Sequence, residues 1–229
     1  PPDSGWQTQR PGLELRTIRL FDENGRFQET LTLLRLDPAL YQFDVAYHPG
    51  VPQSLSDWQA ETGALLVVNG GFFTPEFHAT GLIIASGVAE GSSYDGFGGM
   101  VAITEAGIEV RSLAERPYTA DEPLTAAVQS FPLLVQPGGT NGYADEDGQP
   151  ARRTVIAQDR NGRLLLIIAP LGSFTLHQLS QYLLASDLDL DIALNLDGGS
   201  STGLLLTDPP LHIPAFTMLP AVITVSPRP

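Results

Sequence analysis

Short apolar runs alternate with polar, glycine-rich breaks along this chain, the pattern of many strands and few helices. Leu13–Leu20 and Leu31–Leu36 read as strands joined through a turn at Asp22–Gly25. Phe43, Val45 and Tyr47 alternate with polar or small residues, the two-residue period of a strand. Ala64–Val68 is short and wholly apolar, as a strand buried on both faces would be. Leu82–Ala85, Met100–Ile103, Ile108–Val110, Thr125–Gln129, Leu133–Val135, Ile192–Leu196, Leu204–Thr207 and Val222–Val225 add further strands. Thr154–Gln158 and Arg163–Ala169 flank Asn161-Gly162, a strong short-range hairpin signal.

Two stretches break the strand rhythm. Ser54–Glu61 reads as a helix, with Ser54 as its cap, Asp57 in its first turn and Gly63 past its end. Thr175–Ala185 reads as a second, opened by a Thr175/Gln178 capping box, with Leu176, Leu179 and Leu183 on one face. Residues 1–12 are polar and read as a tail. Gly91–Gly99, carrying Tyr94, Asp95 and Phe97, reads as a loop, and so does Pro137–Pro150 with its acidic tip. The expected fold is α+β: a single domain over residues 13–229, built on a large mixed β-sheet with a few helices.

A length of 229 residues suits one such domain. Twelve basic against 26 acidic residues give a formal net charge of −14, which repels polyphosphate and anionic lipid. Nucleic-acid and membrane-surface partners are therefore not expected, and a small anion would need arginines gathered locally. No apolar run approaches the roughly 18 residues of a membrane span. The chain has no cysteine, which removes thiolate metal sites and fits an oxidising compartment. It opens Pro-Pro-Asp-Ser without Met, which fits either a trimmed chain or a mature extracytoplasmic (periplasmic or secreted) protein whose leader is missing.

Candidate chemistry concentrates in three segments. In Ala193-Leu-Asn-Leu-Asp-Gly-Gly-Ser-Ser201, strand alternation sends Asn195 and Asp197 one way and Leu194 and Leu196 the other. Gly198 and Gly199 then allow left-handed backbone, close approach and an anion-binding turn. The same residues also fit an ordinary Asp-Gly turn. Ala64–Val68 repeats the design, ending in Asn69-Gly70-Gly71-Phe72-Phe73. Two such ends predict a shared site: both strands in one sheet, with Asn69 and Asp197 within about 10 Å, the scale of glycosidase carboxylate spacings. The third segment is Arg152-Arg153-Thr154, the only adjacent arginine pair, able to fork onto a phosphate or carboxylate but equally able to lie on the surface. Alternation turns only one of the two toward a cleft, and Arg153 is the expected one.

Other patterns fail on context. Gly199-Ser-Ser-Thr-Gly203 matches G-x-S-x-G, but an apolar strand, not a helix, follows it. Asp187, Asp189 and Asp191 start like a calcium loop, yet Ile192 and Gly198 stand where Gly and Glu are required. The four histidines are scattered, with no H-E-x-x-H.

Asn69–Phe73, Gly81-Leu-Ile-Ile84, Ala127-Val-Gln-Ser130 with Pro132-Leu-Leu-Val135, Arg153-Thr154 and Ala193–Thr202 occur in an order that resembles the phosphodiester glycosidase family over residues 64–225. Two departures stand out. Phe131 replaces the family's usual glycine before Pro-Leu-Leu-Val, and Leu219-Pro-Ala-Val222 replaces its arginine-containing C-terminal segment.

The resemblance implies a hydrolase cleaving a sugar–phosphate (phosphodiester glycosidic) bond in envelope or extracellular glycan metabolism, without a cofactor. Its substrate would be a small molecule or glycan. It implies Asp197 as base, nucleophile or electrostatic stabiliser, Arg153 as phosphate clamp, and Asn69 and Asn195 on sugar hydroxyls or the carboxylate. Gly70, Gly71, Gly198, Gly199, Ser201, Thr154, Gln129 and Ser130 would complete the binding surface. A second carboxylate, if required, would be Asp95 or Glu76. Two other readings remain: a non-catalytic glycan- or phosphate-binding module, and a metal-dependent phosphodiesterase using Asp197 with Asp145 and Asp147.

Overall fold

Alternation on the longest strands splits their leucines and isoleucines between two cores, which explains why those segments read as unbroken apolar runs. The computed structural model describes residues 1–229. The chain opens with β1 (Gln7–Arg10), β2 (Leu13–Phe21), β3 (Phe27–Leu36) and β4 (Tyr41–Tyr47), then α1 (Leu55–Thr62). β5 (Leu66–Asn69), β6 (Ile83–Ala85), β7 (Val88–Glu90), β8 (Gly99–Thr104) and β9 (Gly107–Ser112) follow. Next come β10 (Ala126–Ser130), β11 (Leu133–Gln136), β12 (Thr140–Asn141), β13 (Ala151–Asp159) and β14 (Leu164–Phe174). α2 (Leu176–Ala185) leads to β15 (Leu190–Asn195), a 3₁₀ turn at Gly199–Ser201, β16 (Leu204–Thr207), β17 (Pro210–Ile213) and β18 (Ala221–Pro227).

These strands form three sheets rather than one mixed sheet. Eight strands run β1-β2-β3-β14-β13-β15-β11-β12, five run β7-β6-β10-β8-β9, and five run β17-β16-β5-β18-β4. Every ladder is antiparallel. The expectation that β5 and β15 share a sheet is therefore overturned. A strand buried on both faces carries no mark of which neighbours it takes.

The inner face of the eight-stranded sheet presents Leu34, Ile156, Leu166 and Leu194 to Val68 and Ile223 of one small sheet and Val101 and Val128 of the other. This shared core joins the three sheets. The outer face presents Leu33, Val155 and Ile167 to Leu179 and Leu183 of α2. Truncating either buried α2 leucine to alanine costs about 2–5 kcal/mol. The local signals for both helices operate as read. Ser54 Oγ accepts from the Asp57 N–H, Gly63 caps α1 at φ 66°, and the Thr175/Gln178 box closes on both sides.

Residues 1–12 are not a free tail. β1 pairs with β2, Asp3 bridges to Ile18, and Asp3 meets the buried Arg16 guanidinium at 2.6 Å. Asp187 takes the other side of Arg16 at 2.9 Å. That ion pair holds the Asp3 carboxyl down at about 2. The polar stretch 137–150 contains β12, which extends the large sheet beyond β11. No helix is long and apolar enough to cross a membrane.

Candidate active site

The C-terminal ends of β5 and β15 meet although they belong to different sheets. Asn69 Nδ2 donates to the main-chain oxygen of Asp197 at 2.7 Å, and the Asp197 N–H donates to the Gly70 carbonyl at 3.1 Å. Asn69 Oδ1 accepts from Thr154 Oγ1 at 2.8 Å and from the Gly203 N–H at 3.2 Å. Thr154 Oγ1 also lies 3.2 Å from Thr202 Oγ1. Asn69, Thr154 and Thr202 are fully buried. The Asn69 amide has no free edge, and it clamps the Asp197 main chain from the opposite sheet. Asn69 and Thr154 therefore lie beneath the site, not on its surface. Thr202 escaped the sequence reading, since only its distant partners give it meaning.

The Asp197 carboxylate is half-buried. Oδ1 accepts from the Gly198 N–H at 2.8 Å. Burial pushes its carboxyl above the usual carboxylate range, against the pull of the Ser201 side chain and the Gly198 N–H. A carboxyl raised by desolvation and fixed at a strand end is suited to accept a proton.

Arg153 is set by register. Val155 pairs with Asn195, and the Leu196 N–H reaches the Thr154 carbonyl at 2.9 Å. Arg153 lies just beyond that pairing on β13, the strand beside β15, where Asp197 leaves the ladder and its N–H turns to Gly70. Its Nε donates to Phe174 O at 3.1 Å and its Nη2 to Gln149 O at 2.7 Å, while Nη1 has no protein partner. Arg152 is fully engaged, on Pro170 O, Gly199 O and Pro214 O, with its guanidinium 4.1 Å from the centre of the Phe216 ring. Neither arginine forms an ion pair with a carboxylate. Burial lowers the pKa of both, against the nearby Asp147 for Arg153 and Glu29 for Arg152.

The four glycines do different work. Gly199 alone is left-handed, at φ 59°. Gly198 is extended, and a Cβ there would lie 2.7 Å from Arg152 O. A Cβ on Gly71 would meet Gln129 O at 2.8 Å, and one on Gly70 would meet Ala221 O at 3.2 Å. Close backbone approach, not unusual torsion, is what these three positions demand. The N–H groups of Gly70 and Gly198 are already spent, on Ala221 O and Asp197 Oδ1.

On the other flank of β15, Asn195 Nδ2 donates to Phe131 O at 3.0 Å, while its Oδ1 is buried without a partner. Alternation puts Asn195 on the outer face with Ala193, opposite the face that carries Thr154 and Asn69. Asn195 and Asn69 are therefore not brought together. Ser130 Oγ is likewise buried and unpartnered. Gln129 pins the loop after β7, accepting from the Tyr94 N–H at 2.8 Å and donating to Ser93 Oγ at 2.8 Å.

Asp95, Glu76, Asp145 and Asp147 are all exposed. No group of three or more His, Asp or Glu side chains is placed to hold a metal ion, so Asp145 and Asp147 do not assemble with Asp197. A groove of about 1070 Å³, lined by His48, Glu61, Glu90 and Arg228 among others, contains none of these site residues.

No curated protein sequence matches the chain. Among solved structures, the catalytic domain of zebrafish N-acetylglucosamine-1-phosphodiester alpha-N-acetylglucosaminidase, auto-inhibited by its pro-peptide, superposes with a TM-score of 0.74 at 18% identity, over 97% of this chain and 86% of that one. A hypothetical protein from Synechocystis gives 0.74 at 16% identity, over 100% of this chain and 64% of that one. A Burkholderia pseudomallei protein described as exported gives 0.61 at 13% identity, over 87% and 74%. At these identities the likeness is one of fold. The model of the phosphodiester glycosidase family matches residues 62–220, which takes in Asn69, Gln129, Arg153, Asn195 and Asp197. On that match over most of its length, the chain belongs to the phosphodiester glycosidase family.

Proposed function

We propose that the protein hydrolyses the bond between a sugar's anomeric carbon and the oxygen of a phosphodiester, releasing free sugar and a phosphomonoester. The observation that carries this reading is a half-buried Asp197 at the end of β15, its carboxyl raised by burial, with Arg153 on the neighbouring strand holding a free donor and no carboxylate partner. In a chain of net charge −14, such a cation favours a bound anion. Water adds its oxygen to the anomeric carbon, the carbon–oxygen bond to phosphate breaks, and the phosphate leaves with the bonding pair. Asp197 takes the water's proton or stabilises the positive charge that develops on the sugar. Phosphate is a good leaving group, so a strong general acid is dispensable. Asn69, Thr154 and Ser201 position Asp197, and Arg153 binds the phosphate oxygens.

Family membership and the neighbour described as exported support an extracytoplasmic place in glycan metabolism. A screen of sugar 1-phosphodiesters with both products identified tests the proposal. Free sugar and phosphomonoester in equal amounts support it. Binding without turnover of any member would favour a glycan- or phosphate-binding module instead.

A further inference from the structure

Four aromatic rings gather where β5, β10 and β15 end. Phe72 lies 4.8 Å from Phe131, Tyr94 lies 5.4 Å from Phe131 and 4.9 Å from Phe97, and Phe97 lies 5.8 Å from Phe131. Phe131 is 39% exposed and Phe97 is 50% exposed. The cluster is built, not incidental. Gln129 holds the Tyr94 main chain, Thr80 Oγ1 meets the Tyr94 hydroxyl at 3.2 Å, and the Asn195 amide holds the Phe131 carbonyl. Single exposed rings are ordinary, but a braced cluster next to the end of β15, where the Asn195 N–H meets Pro132 O and the Asp197 N–H meets Gly70 O, indicates a binding surface.

The register fixes where the cluster lies. β15 has β13 on one side and β11 on the other. Leu133 pairs with Leu194, so Phe131 flanks the end of β15 on the side away from Arg153. Across the sheet the strand order is β13 with Arg153, β15 leading to Asp197, and β11 preceded by Phe131. A sugar 1-phosphodiester has the same order: phosphate, anomeric carbon, sugar ring. Resting on the proposed function, we infer that Phe131, flanked by Phe97 and Phe72, is a specificity-determining platform on which the C–H face of the substrate's pyranose ring packs. A ring face carries partial negative charge and attracts the weakly positive C–H groups of a sugar.

Titration calorimetry on the full chain tests this with three monoanionic probes. These are the methyl diester of glucose 1-phosphate, dimethyl phosphate and methyl phenyl phosphate. The wild type should bind the sugar diester about tenfold or more tightly than dimethyl phosphate. Phe131→Gly should remove most of that preference and leave dimethyl phosphate binding unchanged. Phe97→Ser, on an exposed loop, should reduce it in a protein of wild-type melting temperature. Absence of a sugar preference in the wild type, or its survival in Phe131→Gly, overturns the inference. So does a loss confined to methyl phenyl phosphate, which would place the leaving group on the platform. Hydrolysis is read separately: a sugar diester that binds through Phe131 but is never cleaved overturns the proposed reaction and leaves the platform standing.

Discussion

Replacing Asn69 by alanine separates a buried clamp from a substrate ligand. The side chain donates to Asp197 O and accepts from Gly203 N and Thr154 Oγ1. Thr154 keeps Thr202 as a partner, so two main-chain groups, Asp197 O and Gly203 N, lose theirs. Each unsatisfied buried group costs about 1–3 kcal/mol, which sums to roughly 2–6 kcal/mol. Total stability for a domain is typically about 5–15 kcal/mol, so the loss is a large share of it. A chain of this length loses about 2–4 °C of melting temperature per kcal/mol, so a fall of roughly 4–24 °C is expected. Urea unfolding followed by circular dichroism gives the free energy, and a thermal melt checks it. Turnover should fall too, because the Asp197 main chain is released. A variant within about 1 kcal/mol of wild type that has nevertheless lost activity would refute the clamp and return Asn69 to the substrate.

Arg153→Ala should weaken substrate binding or turnover by roughly 10- to 150-fold, the equivalent of one charge-assisted hydrogen bond. Arg152→Ala, which strips three carbonyls and a ring contact, should act chiefly on stability; kinetics and melts of both variants decide. Because burial raises the Asp197 pKa, the folded state holds that proton to higher pH than the unfolded state. Wild-type stability should therefore fall relative to Asp197→Asn as pH rises from below the unfolded carboxyl pKa through the folded one, as read by paired denaturation series; a pH-independent difference would contradict this. Gly71→Ala, whose methyl would press on Gln129 O, should cost about 1–3 kcal/mol in the same assay.

What the sequence disclosed was local chemistry. Gly162 takes φ 80° in the Asn161-Gly162 hairpin, and Ser54 and Thr175 cap their helices, because each signal is complete within a few residues. Asn69 and Asp197 were legible as a pair through their matching glycine turns. Their relation was not: Asn69 binds groups 85 and more residues away, and those contacts follow from how two sheets pack. The sheet membership of β5 was hidden for the same reason. So was the anchoring of the N-terminal residues, which depends on Asp3 and Asp187 converging on Arg16 from opposite ends of the chain. The aromatic cluster was invisible because Phe72, Tyr94, Phe97 and Phe131 carry no shared period.

In the proposed reaction the Asp197 carboxylate performs the chemistry. Asparagine at this position keeps an oxygen for the Gly198 N–H and tolerates the same backbone. Turnover of a sugar 1-phosphodiester by Asp197→Asn, measured beside its melting curve, is the direct test. The expected variant is folded, at least as stable as wild type at neutral pH, and has lost roughly 10²- to 10⁴-fold in turnover. A folded variant with wild-type turnover would contradict that role.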